Sequence, residues 1–195
     1  MTPTRRSRRI AVLSSVLGLL LIGPTAPAGA APAVVSVQDF SFTPARVGVG
    51  LGESVTWTFH SLHTSTSNQG FWSSGERSTG DYVVTFPDAG TFGYHCAMHP
   101  SMTGKVRVPM TASGAASAGW RLRWSIRTST PANRRFDVRF KRVGATTWTA
   151  FRSGTAKRAG SFHPSRAGSY LVRARTGNVG VGHSGWSPAL TVRLS

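Results

Sequence analysis

The residues able to do chemistry are concentrated around the only cysteine of the chain. Cys96 is followed by His99 and then Met102, in the spacing C-x2-H-x2-M, and His63 stands upstream in Leu62-His63-Thr64. A thiolate, two imidazoles and a weak axial thioether form the ligand set of a blue-copper electron-transfer centre. Soft sulfur suits Cu(I), and imidazole suits both Cu(I) and Cu(II), so one ligand set serves both oxidation states. The competing reading of a lone cysteine is a small buried hydrophobe. His99 and Met102, so close behind it, favour a metal thiolate. One cysteine also rules out a disulfide framework within the chain.

Such a centre needs strands to carry its ligands. Val55, Trp57 and Phe59 alternate with Thr56, Thr58 and His60, the period of a half-buried strand. His63 follows that strand, where its ring can reach over a loop. Pro87-Asp88-Ala89-Gly90 reads as a turn. Beyond it Phe92, Tyr94 and Cys96 share one face, which points the sulfur inward. Residues 83–86 and 105–108 read as further strands, and Val35, Val37, Phe40 and Phe42 as an apolar opening with one break in alternation. Short strands separated by Gly and Pro, with no helical periodicity, predict an all-β sandwich or barrel.

Residues 1–30 read as an export signal. Arg5, Arg6, Arg8 and Arg9 precede an apolar run from Ile10 to Ile22, and Ala28-Gly29-Ala30 fits a cleavage site. Ser7-Arg8-Arg9-Ile10 is equally compatible with twin-arginine and Sec export. The expectation is a soluble extracytoplasmic protein, whether secreted, periplasmic or associated with the cell wall.

Residues 109–118, PMTASGAASA, are uncharged and lack bulk, and predict a linker. Residues 119–195 predict a second β-sandwich. Trp120, Leu122, Trp124 and Ile126 alternate with polar residues, as do Phe136, Val138 and Phe140, then Tyr170, Val172 and Ala174; Leu190, Val192 and Leu194 close the chain. The net charge of +17 is divided unequally: residues 31–118 carry four basic and five acidic residues, whereas residues 119–195 carry fifteen basic residues against Asp137 alone. A surface so basic implies a polyanionic partner. For an exported chain, an anionic cell-wall polymer or a membrane surface is the expectation ahead of nucleic acid. A solvated, arginine-rich strand face is the alternative.

Two stretches resemble known families. The pattern V-T-W…H-T…F-P-D-A-G-T-F-x-Y-x-C-x2-H-x2-M-x-G-x-V-x-V, within residues 34–108, resembles the plastocyanin–amicyanin branch of the cupredoxins. That resemblance implies a Greek-key cupredoxin fold over 31–108 and one type 1 copper per chain. It also implies that His63, Cys96, His99 and Met102 are the copper ligands. The family commonly has asparagine after the first histidine, bracing the loop near the thiolate; here the residue is Thr64. The closing stretch, with Tyr170 and Trp186-Ser187-Pro188, resembles the last two strands of a fibronectin type III module, an immunoglobulin-like sandwich.

The resemblance implies a one-electron carrier, not an enzyme, that is monomeric and exchanges electrons with a redox partner protein through the edge of His99. Met98, Pro100 and Met110 are the expected apolar rim. The alternative with the same ligands is copper storage or delivery without redox transfer. An oxidase or nitrite reductase needs further copper held by an H-x-H supply of histidines; the chain has six histidines and no such pair. His60 is expected to be solvated or to support a metal ligand from behind; His95, His163 and His183 are expected at the surface.

Overall fold

A computed structural model describes residues 33–195; the export signal expected over 1–30 lies outside the described residues. The described residues form sixteen strands and no helix, hence no helix long and apolar enough to cross a membrane.

Residues 33–108 build a sandwich from eight strands. These are β1 (Ala33–Gln38), β2 (Ser41–Thr43), β3 (Arg46–Gly48), β4 (Ser54–Phe59), β5 (Thr66–Ser67), β6 (Gly80–Thr85), β7 (Gly90–His95) and β8 (Thr103–Val108). One sheet runs β2-β1-β4-β6 and the other β3-β8-β7-β5. β1 pairs parallel with β4, and β3 with β8; the remaining pairs are antiparallel. Val55, Trp57 and Phe59 of β4 and Phe92 and Tyr94 of β7 are buried, as alternation predicts, and share one core with Cys96 and Met102. Gly104 has to be glycine: a Cβ there would stand 2.2 Å from the Tyr94 ring. The ring lies across β8 two residues beyond Met102, which accounts for the glycine of M-x-G.

The apolar opening departs from expectation at Phe40. Val35, Val37 and Phe42 are buried, but Phe40 is 67% exposed. Asp39 and Phe40 are the two central residues of the β1–β2 hairpin, and both have positive φ, 47° and 57°. The break in alternation is therefore a tight turn, of the kind that requires φ > 0 at both central positions.

The second module uses β9 (Thr111–Ala115), β10 (Gly119–Arg123), β11 (Arg134–Arg142), β12 (Thr149–Thr155), β13 (Ala159–Phe162), β14 (Gly168–Asn178), β15 (Gly182–His183) and β16 (Leu190–Leu194). A three-stranded sheet, β13-β10-β9, faces a sheet in which β12, β11 and β14 are consecutive and β14 also pairs with β15 and β16. Leu122, Trp124, Phe136, Val138, Tyr170, Val172 and Ala174 fill the core.

The expected linker over 109–118 is corrected by this arrangement. Thr111–Ala115 is a strand in register with Gly119–Arg123, and Met110 is buried in the second core. An edge strand that pairs on one side needs little bulk, so its small residues resemble slack chain in the sequence.

The modules meet across polar and main-chain contacts. Ala89 N–H donates to Trp124 O at 2.8 Å, and Ile126 N–H to Pro87 O at 2.9 Å. Thr91 and Gly185 exchange two main-chain hydrogen bonds, at 2.9 and 2.8 Å. The buried Asp88 carboxylate accepts from Ser125 Oγ at 2.7 Å and from Arg127 Nε at 2.8 Å, with Arg134 Nε at 3.8 Å. Pro87–Gly90, read from composition as a simple turn, is thus the seat of the second module. Ile126 faces Gly52 of the first module and does not continue the inward face of β10.

Candidate metal centre

β7 delivers the cysteine. Gly90, Phe92 and Tyr94 face inward in turn, and one further step of the alternation buries Cys96 completely. The loop beyond it is closed by its own main chain. His99 N–H donates to Cys96 O at 3.2 Å, Met102 N–H to His99 O at 2.9 Å, and Cys96 N–H to Met102 O at 3.0 Å. Two-residue spacers with these bonds return each side chain to the same end of the sandwich. Met102 is buried in the first core.

The second limb comes from the segment after β4. His63 and Arg77 exchange main-chain hydrogen bonds at 3.0 Å in each direction. Ser65 N–H donates to Ser74 Oγ at 2.8 Å, and Trp72 Nε1 donates to Ser65 Oγ at 3.1 Å. These bonds fix His63 and Thr64, both buried, against the cysteine loop.

The three strongest donor atoms converge. His63 Nδ1 and His99 Nδ1 are 3.1 Å apart, and Cys96 Sγ lies 3.7 Å from the first and 3.6 Å from the second. A triangle of these sides has its centre about 2 Å from each corner, close to metal–imidazole and metal–thiolate bond lengths. His63, Cys96 and His99 can therefore hold one metal ion. A soft thiolate with two imidazoles, and a buried methionine in the same loop, fits copper by donor chemistry.

The surroundings are arranged around the sulfur. Thr64 N–H donates to Cys96 Sγ at 3.3 Å. Thr64 Oγ1 accepts from Ala97 N–H at 2.7 Å and from Thr66 Oγ1 at 3.1 Å. Threonine thus performs the loop bracing that the family resemblance assigns to asparagine. Burial lowers the pKa of His63, the adjacent His99 lowers it further, and Asp39 opposes both. A neutral imidazole is the form that binds metal.

Phe40 was not recognised from the sequence. Its ring stands edge-on to His99, with centroids 4.8 Å apart, and to His63 at 5.8 Å. The only sequence signal was an aromatic residue out of alternation. The apolar surface beside the ligands therefore includes Phe40, with Leu62, next to His63 in the chain, also exposed at 52%. Of the expected rim, Pro100 is exposed and Met98 half-buried, but Met110 belongs to the other module's core. His60 and His163 are exposed, as expected. His95 is half-buried, its Nδ1 2.8 Å from Asn68 Oδ1, and His183 lies 3.6 Å from the Asp137 carboxylate.

No family model matches the chain. The amicyanin of Paracoccus denitrificans is 31% identical over 86 residues, which cover 38% of this chain and 63% of that protein. The amicyanin of Paracoccus versutus is 32% identical over 83 residues, with the same shares covered. The chain thus spans less than two thirds of the length of these relatives. Among solved structures, oxidized and reduced Cu(I) forms of amicyanin variants align at 28% identity and a TM-score of 0.37, over 39% and 42% of this chain and 80% and 86% of theirs.

Proposed function

We propose that residues 31–108 are a cupredoxin module binding one type 1 copper, and that the protein is an extracytoplasmic one-electron carrier rather than an enzyme. The single observation that carries this reading is the convergence of His63 Nδ1, His99 Nδ1 and Cys96 Sγ, with separations of 3.1, 3.6 and 3.7 Å. The sequence likeness to two amicyanins supports it, and amicyanin has been solved in a reduced Cu(I) form.

Copper held there would supply the one-electron Cu(I)/Cu(II) couple. The chain's own residues do the rest. Cys96, fully buried at the end of β7, provides the thiolate, and the Thr64 N–H aimed at its sulfur stabilises negative charge there. His63 is buried and anchored through its main chain to Arg77. Met102, buried in the closed 96–102 loop, would supply the thioether. His99 is less buried than His63 and offers its imidazole edge to a redox partner beside Phe40 and Pro100. A few exposed apolar residues around one imidazole edge suit the small interfaces of transient redox encounters.

The second module reads as fibronectin type III-like. Supporting this, the Tyr170 hydroxyl near the start of β14 donates to Arg166 O at 2.6 Å, the arrangement of a tyrosine corner. Its fifteen basic residues against one acidic residue favour retention on an anionic envelope polymer.

Copper storage or delivery is the competing use of the same ligands. Measuring electron self-exchange alongside copper loss to a chelator separates the two. A carrier exchanges electrons rapidly and keeps its copper; a delivery protein releases the ion to a moderate chelator and exchanges electrons slowly.

A further inference from the structure

The positive charge of the second module is not spread evenly over its surface. Six basic side chains, Arg121, Arg123, Arg127, Arg152, Lys157 and Arg158, line one cleft of about 790 Å3, together with Ser125 and Ser161. Among the described residues, no carboxylate lines it. Arg127 alone of the six has an acidic partner, Asp88 of the first module.

The strand pattern creates this face. Leu122 and Trp124 turn inward from β10, so Arg121 and Arg123 turn outward together, about 7 Å apart along the strand. β13 lies alongside, with Ser161 opposite Arg121 and Ala159 opposite Arg123. Small residues on that neighbour leave the space open. Two of the guanidinium groups are held in place by main-chain carbonyls: Arg158 donates to Arg127 O, and Arg152 to Phe151 O at 2.7 Å while also lying over the Phe151 ring. A guanidinium has five N–H donors, so one such bond orients the group and leaves donors for a ligand.

Clustered like charges repel one another, and a fold that concentrates them in a concave space without carboxylates gains nothing in stability from doing so. We infer that this cleft is the binding site of a linear polymer of phosphate groups. Guanidinium pairs with phosphate through two parallel hydrogen bonds, which suits arginine over lysine, and five of the six cations are arginine. The concave shape and the row of cations along β10 suit a single extended chain better than the flat surface of a bilayer. This inference rests on the reading of residues 119–195 as a polyanion-binding module and is independent of the copper site.

The test uses the full mature chain and linear inorganic polyphosphate, with affinity measured against salt concentration. Arg121→Ser/Arg123→Ser removes two cleft charges; Arg166→Ser/Arg193→Ser removes two exposed charges elsewhere on the same module. Near-ultraviolet circular dichroism checks that both variants are folded. The expected result is a loss of tenfold or more in affinity for the cleft variant, with the salt slope shallower by about 1.5, and less than a twofold change for the control. Equal losses in both variants would mean diffuse charge rather than a site, and would overturn the cleft while leaving the module reading intact. Absence of binding by the unaltered chain to polyphosphate and to phosphatidylglycerol vesicles alike would overturn both. Binding to phosphatidylglycerol vesicles without binding to polyphosphate would identify a membrane surface and overturn the polymer.

Discussion

The main-chain N–H of Thr64 donates to the sulfur of Cys96 at 3.3 Å, across 32 residues of sequence. The hydroxyl of the same threonine accepts from Ala97 N–H at 2.7 Å. One residue therefore ties the His63 limb to the cysteine limb twice, once at the thiolate and once at the loop beyond it. Thr64→Val keeps the branched shape and the main-chain bond but removes the acceptor of the Ala97 N–H and of the Thr66 hydroxyl. The expected cost is about 1–2 kcal/mol, read from denaturant unfolding of the copper-free protein, with the visible spectrum of the loaded protein largely retained. Thr64→Ser should restore most of the stability.

Phe40 occupies a backbone conformation, φ 57°, that costs a side chain about 1 kcal/mol relative to glycine. Its ring is largely exposed, so its removal forfeits little burial. Phe40→Gly should leave stability unchanged or slightly raised while opening the edges of His63 and His99. The check is the rate at which a chelator strips the copper, expected to rise several-fold. An unchanged rate would show that the ring does not shield the site.

Asp88 joins the modules through Ser125, Arg127 and Arg134. Asp88→Ala leaves the largely buried Arg134 side chain without its countercharge, a loss of about 3 kcal/mol or more. Calorimetry should show one cooperative transition for the unaltered chain and two for the variant, as each module unfolds separately.

Asp137 is the sole acidic residue of the second module. Burial pushes its pKa up, but the Gly154 N–H and Arg175 outweigh that effect and hold it below the ordinary 3.8. A depressed carboxylate pKa contributes stability above the unfolded value and loses it as pH falls through the folded one. Asp137→Asn should therefore be less stable than the unaltered chain near neutral pH, and the difference should vanish in strong acid. Unfolding midpoints between about pH 6 and about pH 2 test this.

What could be read from the sequence depended on periodicity and spacing. The alternation from Phe92 to Cys96 placed the sulfur inward, and short spacers kept His99 and Met102 beside it. Both are local patterns that survive without knowledge of tertiary structure. The positions that were missed have their roles set by distant partners. Phe40 looked like one more core aromatic, because nothing nearby in the chain announces that the hairpin turns there and lays the ring against imidazoles from two other loops. Asp88 looked like a turn former until Ser125 and Arg127 came to meet it. Residues 111–115 looked like slack chain because they pair on one side and bury little. The basic residues of the second module read as either a polyanion-binding surface or a solvated strand face; only the adjoining β12 and β13 make a cleft at Arg121 and Arg123.

The copper centre is tested most directly by a Cu(II) titration of the protein followed by its visible spectrum, with Cys96→Ser alongside. An intense orange-red absorption should saturate at one copper per chain and be abolished in the Cys96→Ser variant. A colourless protein, or a band that persists without the Cys96 sulfur, would contradict that centre.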